Sequence, residues 1–164
     1  MEKIIFTIIL NVALALTLEL SVGARGECAD KGWPDNRFTR QVPKPAAVAG
    51  PYKMLARRGD SFRSAAESKA DGIMIAVKWD TMDEAKAYAV EVKAAGFTRN
   101  ESVVEEDGTK TPIKFGDREV FAPSKFDWKA SNGEYSVEVL FYAGGTAAVK
   151  EGALTIAKFD PSEE

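Results

Sequence analysis

The sequence predicts an α+β domain: a mainly antiparallel sheet of five or more strands with one amphipathic helix, about 81–95, packed on one face. Three observations predict it. Residues 73–79 alternate Ile73, Ile75, Val77 and Trp79 with Met74, Ala76 and Lys78, the period-two signature of a strand. A helix follows at once, with start and stop signals of its own. Further alternating runs then succeed one another, and strands following strands favour α+β over strict strand–helix alternation. The competing architecture is an all-β sandwich with an incidental helix.

The strand at 73–79 is apolar on both sides until Lys78, which predicts an interior position. Thr81-Met82-Asp83-Glu84 matches a capping box, with Thr81 accepting from the amide of Glu84. Asp83 and Glu84 place negative charge at the positive end of the helix dipole. Met82, Ala85, Ala89 and Val92 recur at three- and four-residue steps and form the core-facing stripe. Gly96 is placed to end the helix in the left-handed conformation, with Phe97 folding back as its apolar partner.

Before this pair the chain divides into two stretches. Residues 1–24 read as a secretory signal peptide: Lys3, an apolar run over 4–18, then the small residues Val22, Gly23 and Ala24. The run is short for a membrane span, which needs about 20 residues. Membrane association is therefore expected only through an uncleaved signal or through lipid at Cys28, and the residues before Cys28 (Arg25, Gly26, Glu27) do not suit lipidation. Residues 25–51 read as a Pro-rich extended arm, with Trp33 and Phe38 as apolar pegs. The single domain is expected over 52–160, opening with a strand at 52–57. Arg58-Gly59-Asp60 matches an adhesion tripeptide, but three residues match often by accident, and a turn is the expectation. In residues 62–69, Ala65, Ala66 and Glu67 favour helix, but the position before 73–79 favours a strand pairing with it, and the strand is the preferred reading.

After the helix, strands are expected at 98–104, 113–115 and 119–121. Glu105-Glu106-Asp107-Gly108 is read as an acidic turn; it lacks the alternating ligands of a calcium loop. Asn100-Glu101-Ser102 fits a glycosylation acceptor, relevant only in a eukaryotic secretory route. Phe126, Trp128 and Ala130 alternate, Asn132-Gly133 signals a hairpin, and Tyr135, Val137, Val139 and Phe141 alternate again. Residues 153–159 form the last strand.

Several short motifs have a familiar look. Trp33-Pro34, Phe38-Thr39 and Val42-Pro43-Lys44-Pro45 resemble the opening of an uncharacterised family of secreted proteins and lipoproteins, mainly of Gram-positive bacteria. Tyr88, Val92-Lys93 and Ala95-Gly96-Phe97 resemble its helix end. Ala130-Ser131-Asn132-Gly133, Tyr135, Val137, Val139, Gly152 and Leu154-Thr155-Ile156 resemble its final strands. The resemblance implies an extracytoplasmic α+β domain and implies no activity. The segment 99–125 is longer than that pattern.

Composition bounds the chemistry. The 164 residues are 45% hydrophobic and 29% charged with net charge −3, an ordinary globular balance with no overall pull toward nucleic acid. The charge is uneven: residues 31–69 hold nine Lys/Arg against three Asp/Glu, and residues 70–164 hold eleven against eighteen. There is no His and one Cys. The usual general base, the commonest zinc ligand, the Ser-His-Asp device, a Cys-x-x-Cys pair and an internal disulfide are all ruled out. No phosphate loop or dinucleotide fingerprint occurs, so no cofactor, catalytic residue or metal site is expected. The leading expectation is a non-catalytic binding or structural module of the cell envelope or extracellular space. Its ligand surface would be the aromatic and basic set Trp33, Phe38, Tyr52, Arg57, Arg58 and Arg63, facing a cell-wall or other anionic polymer, or a secreted protein. Two alternatives stand beside it: a secreted hydrolase inhibitor presenting residues 105–114, and a hydrolase using a pair of carboxylates.

Overall fold

The structure is a computed structural model and describes residues 32–46, 48–58, 61–108, 112–115, 118–121, 123–144 and 150–161. The expected signal segment 1–24, Cys28, Gly59 and Asp60 lie outside the described residues. The fold is α+β, as the sequence predicts: among the described residues, one α-helix lies on a seven-stranded antiparallel sheet. The strands are β1 (Val48–Arg58), β2 (Ser61–Ser64), β3 (Gly72–Val77), β4 (Arg99–Glu106), β7 (Ser124–Ser131), β8 (Tyr135–Ala143) and β9 (Lys150–Lys158). Their spatial order is β2-β1-β3-β9-β8-β7-β4. A separate two-stranded hairpin, β5 (Pro112–Phe115) with β6 (Arg118–Phe121), sits between β4 and β7 in the chain. The helix α1 (Met82–Ala94) connects the interior strand β3 to the edge strand β4.

Local chemistry sets the helix ends. The Thr81 hydroxyl accepts from the Glu84 amide at 3.3 Å, as a capping box requires. The reciprocal bond differs: Glu84 Oε2 accepts from the amide of Asp80, one residue earlier than expected. At the other end Gly96 has φ +107°, where a side chain would be strained. Its amide donates to Lys93 O, and that of Phe97 to Val92 O, the paired closing bonds of a Schellman end. Phe97 is fully buried.

One face of the sheet carries the core. Register sets Ile73, Ile156 and Val137 in one row across β3, β9 and β8, and Ile75, Leu154 and Val139 in the next; Phe126, Trp128 and Ala130 continue the layer onto β7. The helix lays Ala85, Tyr88, Ala89 and Val92 onto it, with Met82 half-buried at the margin. Tyr88 is absent from the predicted stripe; its hydroxyl donates to Pro43 O in the arm at 2.8 Å, so it clamps arm to helix. Two glycines permit close strand approach. A Cβ on Gly152 would strike Val77 O and Trp79, and one on Gly72 would meet Ile156 O at 2.8 Å.

Several boundaries differ from expectation. β1 begins at Val48, inside the expected arm, and contains Pro51. Proline is tolerated there because β2 reaches only Leu55–Arg58 of β1, and the register shifts between Val48 and Tyr52. Residues 62–69 do not pair with β3: Ser61–Ser64 pairs with β1, and Glu67–Lys69 is a 3-10 turn. The acidic stretch at 105–106 belongs to β4, where Glu106 pairs with Lys125 across the ladder. The Asn132-Gly133 hairpin forms, but its loop spans three residues, with Asn132 Oδ1 accepting from the amides of Glu134 and Tyr135.

Candidate functional site

The expected ligand surface splits into two groups. Phe38 is fully buried and meets Tyr135 edge-to-face at 6.2 Å, so it is a core residue and not a ligand contact. The cause is a compact turn in the arm: Asn36 Oδ1 accepts from the amides of Phe38 and Thr39, and the Thr39 hydroxyl donates to Pro34 O. That turn aims the Phe38 ring inward. Trp33 and Tyr52 are half-buried against the same core. The three arginines lie together on the β1–β2 hairpin.

Hairpin register distributes them over both sides. Arg57 faces Phe62 across the ladder, and Arg63 faces Ala56. Alternation puts Arg58 on the side of Arg63, as diagonal neighbours about 7–8 Å apart. Both are exposed. On the opposite side the Arg57 guanidinium lies 5.1 Å from the centroid of the Phe62 ring, which is 39% exposed.

Arg57 also walls an open cavity of about 280 Å³ at the end of the sheet, lined with Asp71, Lys158, Phe159, Asp160 and Pro161. Its Nη1 is 3.4 Å from Asp160 Oδ2, and its amide donates to Asp71 Oδ2 at 3.1 Å. Lys158 Nζ stands 3.8 Å from Asp71 Oδ1. The pairing of β3 with β9, Gly72 opposite Ala157, carries residues 71 and 158 together from distant parts of the chain. Sequence reasoning missed Phe62, Asp71, Lys158 and Asp160. Phe62 stood in a run read as pairing elsewhere, and the other three meet through a strand order that no local pattern announces.

Four cations (Arg57, Arg58, Arg63, Lys158) and two carboxylates (Asp71, Asp160) thus gather at one corner of the sheet. The surplus is positive, and the arginine fork matches a planar carboxylate or a phosphate. Asp160 faces the Arg57 guanidinium, while Asp71 accepts from the Arg57 backbone amide and stands near Lys158, so both carboxylates lining the cavity have partners. Among the described residues no group of three or more His, Cys, Asp or Glu is placed to hold a metal ion. No helix among them is long and apolar enough to cross a membrane. The segment 105–114, expected as one inhibitory loop, begins inside β4 and ends inside β5. Comparison with family models, with curated proteins and with solved structures gives no match.

Proposed function

We propose that the chain is an exported, non-catalytic binding module of the cell envelope or extracellular space, and that its ligand is an anionic polymer held at the β1–β2 corner. The observation that supports this reading is the gathering of four cations at one corner: Arg57 beside the half-exposed Phe62 ring, Lys158 lining the same cavity as Arg57, and Arg58 and Arg63 on the other side of the hairpin. A repeating phosphodiester or uronate chain would meet the arginine forks, and a sugar ring would stack on Phe62. Export rests on the apolar run and small-residue site before residue 25. Of the six residues expected to form the ligand surface, Arg57, Arg58 and Arg63 are retained; Trp33, Phe38 and Tyr52 serve the core.

The test is retention of the purified protein on insoluble cell wall carrying a phosphodiester polymer, against wall stripped of it. Retention should fall steeply as salt rises. The double variant R58A/R63A changes two exposed side chains and should bind about tenfold more weakly, with unchanged unfolding. Equal retention on both walls, or by wild type and variant, would defeat the reading.

A further inference from the structure

We propose that, given an anionic polymer as the ligand of this corner, the arm supplies a fourth arginine to it: Arg37. The anionic groups are then held on the arm side of the β1–β2 hairpin, between Arg37 and the pair Arg58 and Arg63. The turn that buries Phe38 decides where Arg37 goes. Asn36 Oδ1 accepts from the amides of Phe38 and Thr39, the Phe38 ring turns inward, and Arg37 is left exposed. The Arg37 guanidinium lies 4.8 Å from the centroid of the Phe38 ring, and its Nη2 donates to Ala70 O. That is its one hydrogen bond among the described residues, so most of the five guanidinium N–H groups are left for a ligand.

The bond to Ala70 places Arg37 at the corner. The next residue, Asp71, lines the cavity with Arg57, and its amide donates to Leu55 O. Leu55 pairs in turn with Ser64 of β2. Two strand spacings, about 10 Å, thus separate the chain at residues 70–72 from β2. Alternation along β1 sets Arg58, with Arg63, on the side of Met54, whose partner Ile73 belongs to the core that also holds Phe38. Arg37, Arg58 and Arg63 therefore share one side of the sheet.

Charge separates that side from the cavity. Arg57 and Lys158 each face a carboxylate, Asp160 at 3.4 Å and Asp71 at 3.8 Å. Among the described residues no carboxylate lies within 4.0 Å of the Arg37, Arg58 or Arg63 guanidinium. The arm's other exposed arginine is committed: Arg40 Nε and Nη2 donate to the two oxygens of Asp35 at 2.7 and 3.1 Å. An anion arriving on the arm side displaces no resident carboxylate, whereas one entering the cavity competes with two. Arg37 is also held in place by a ring and a carbonyl, so it loses less side-chain freedom on binding.

The test compares retention of the full chain on wall carrying a phosphodiester polymer, at several salt concentrations, for wild type, R37Q, R37K and D35N/R40Q. R37Q keeps a side chain able to donate to Ala70 O and removes the charge. It should bind about threefold or more weakly, and the slope of log affinity against log salt should fall by about one. R37K restores the charge and should bind within about twofold of wild type. D35N/R40Q removes one paired charge of each sign from the same arm and should bind as wild type does. Wild-type retention by R37Q, or R37K as weak as R37Q, would make Arg37 a packing residue and overturn the proposal, with the R58A/R63A result left to judge the wider reading. Wild-type retention indifferent to salt or to the polymer would remove both.

Discussion

Glu101 is held by two donors of different kinds. Lys93 donates to one carboxylate oxygen at 2.6 Å, and the indole N–H of the buried Trp128 donates to the other at 2.9 Å. The Lys93 bond first, and the Trp128 bond second, hold the Glu101 carboxyl below the usual glutamate range. A depressed folded value means that the carboxylate contributes stability above its unfolded pKa, about 4.3, and that this is lost as pH falls through the folded value. The Glu101 side-chain carbon, followed by NMR, should titrate below that reference, and K93A should move the midpoint upward. A midpoint at or above the reference would show that neither bond persists in solution. The pair also satisfies the one donor of a core tryptophan, which is the common fate of a buried indole. None of this was legible in the sequence, because Glu101 and Trp128 lie 27 residues apart and meet only through the β4–β7 register.

Helix α1 shows which part of an element is local. Its start at Thr81, its end at Gly96 and its Ala85–Ala89–Val92 face follow from spacing and capping within sixteen residues. T81A removes an exposed cap and should lower stability by about 0.5–2 kcal/mol. In urea unfolding the midpoint should fall while the slope stays constant; an unchanged midpoint would mean that the Thr81 hydroxyl contributes nothing. Tyr88 is different. Its burial, and to a lesser degree the charge of Glu91, push its phenol above the ordinary tyrosine range. Its partner Pro43 is 45 residues away, so helical spacing alone did not mark it as core. The sheet repeats the lesson. Alternation in 126–130 and 135–141 predicted two strands, each with one buried set, since one face had to be dry. The run at 62–69 failed because four exposed residues carry no burial pattern to read.

At the scale of the whole molecule the three tryptophans report on one core. Trp79 and Trp128 are buried in it and Trp33 packs against it, although they belong to the arm, the β3–α1 connection and β7. Unfolding followed by tryptophan fluorescence and by far-ultraviolet circular dichroism should therefore give coincident single transitions. Two resolved steps would show that the arm or the hairpin corner folds apart from the rest. The molecule is also polar in its chemistry. The β1–β2 corner gathers exposed arginines, and the far edge strand presents glutamates, which matches the uneven charge along the chain. On the open side of the sheet Lys125, Asp127, Lys129 and Glu138 form an ion-pair row at 2.9 to 3.9 Å. Lys129 is the exposed end of this row, while the central Asp127 side chain is only 14% exposed.

By itself the sequence determined the α+β class, the capped helix and most strands, because capping, turn chemistry and two-fold alternation act over a few residues. It also excluded every mechanism that needs histidine or paired cysteines. Tertiary structure alone decided the strand order, which sets β9 between β3 and β8 and leaves β4 at an edge. It alone turned Phe38 into core and brought Arg57, Asp71, Lys158 and Asp160 to one cavity. The physical reason is common to all of these: they depend on which distant segments exclude water together, and no short window of residues carries that information.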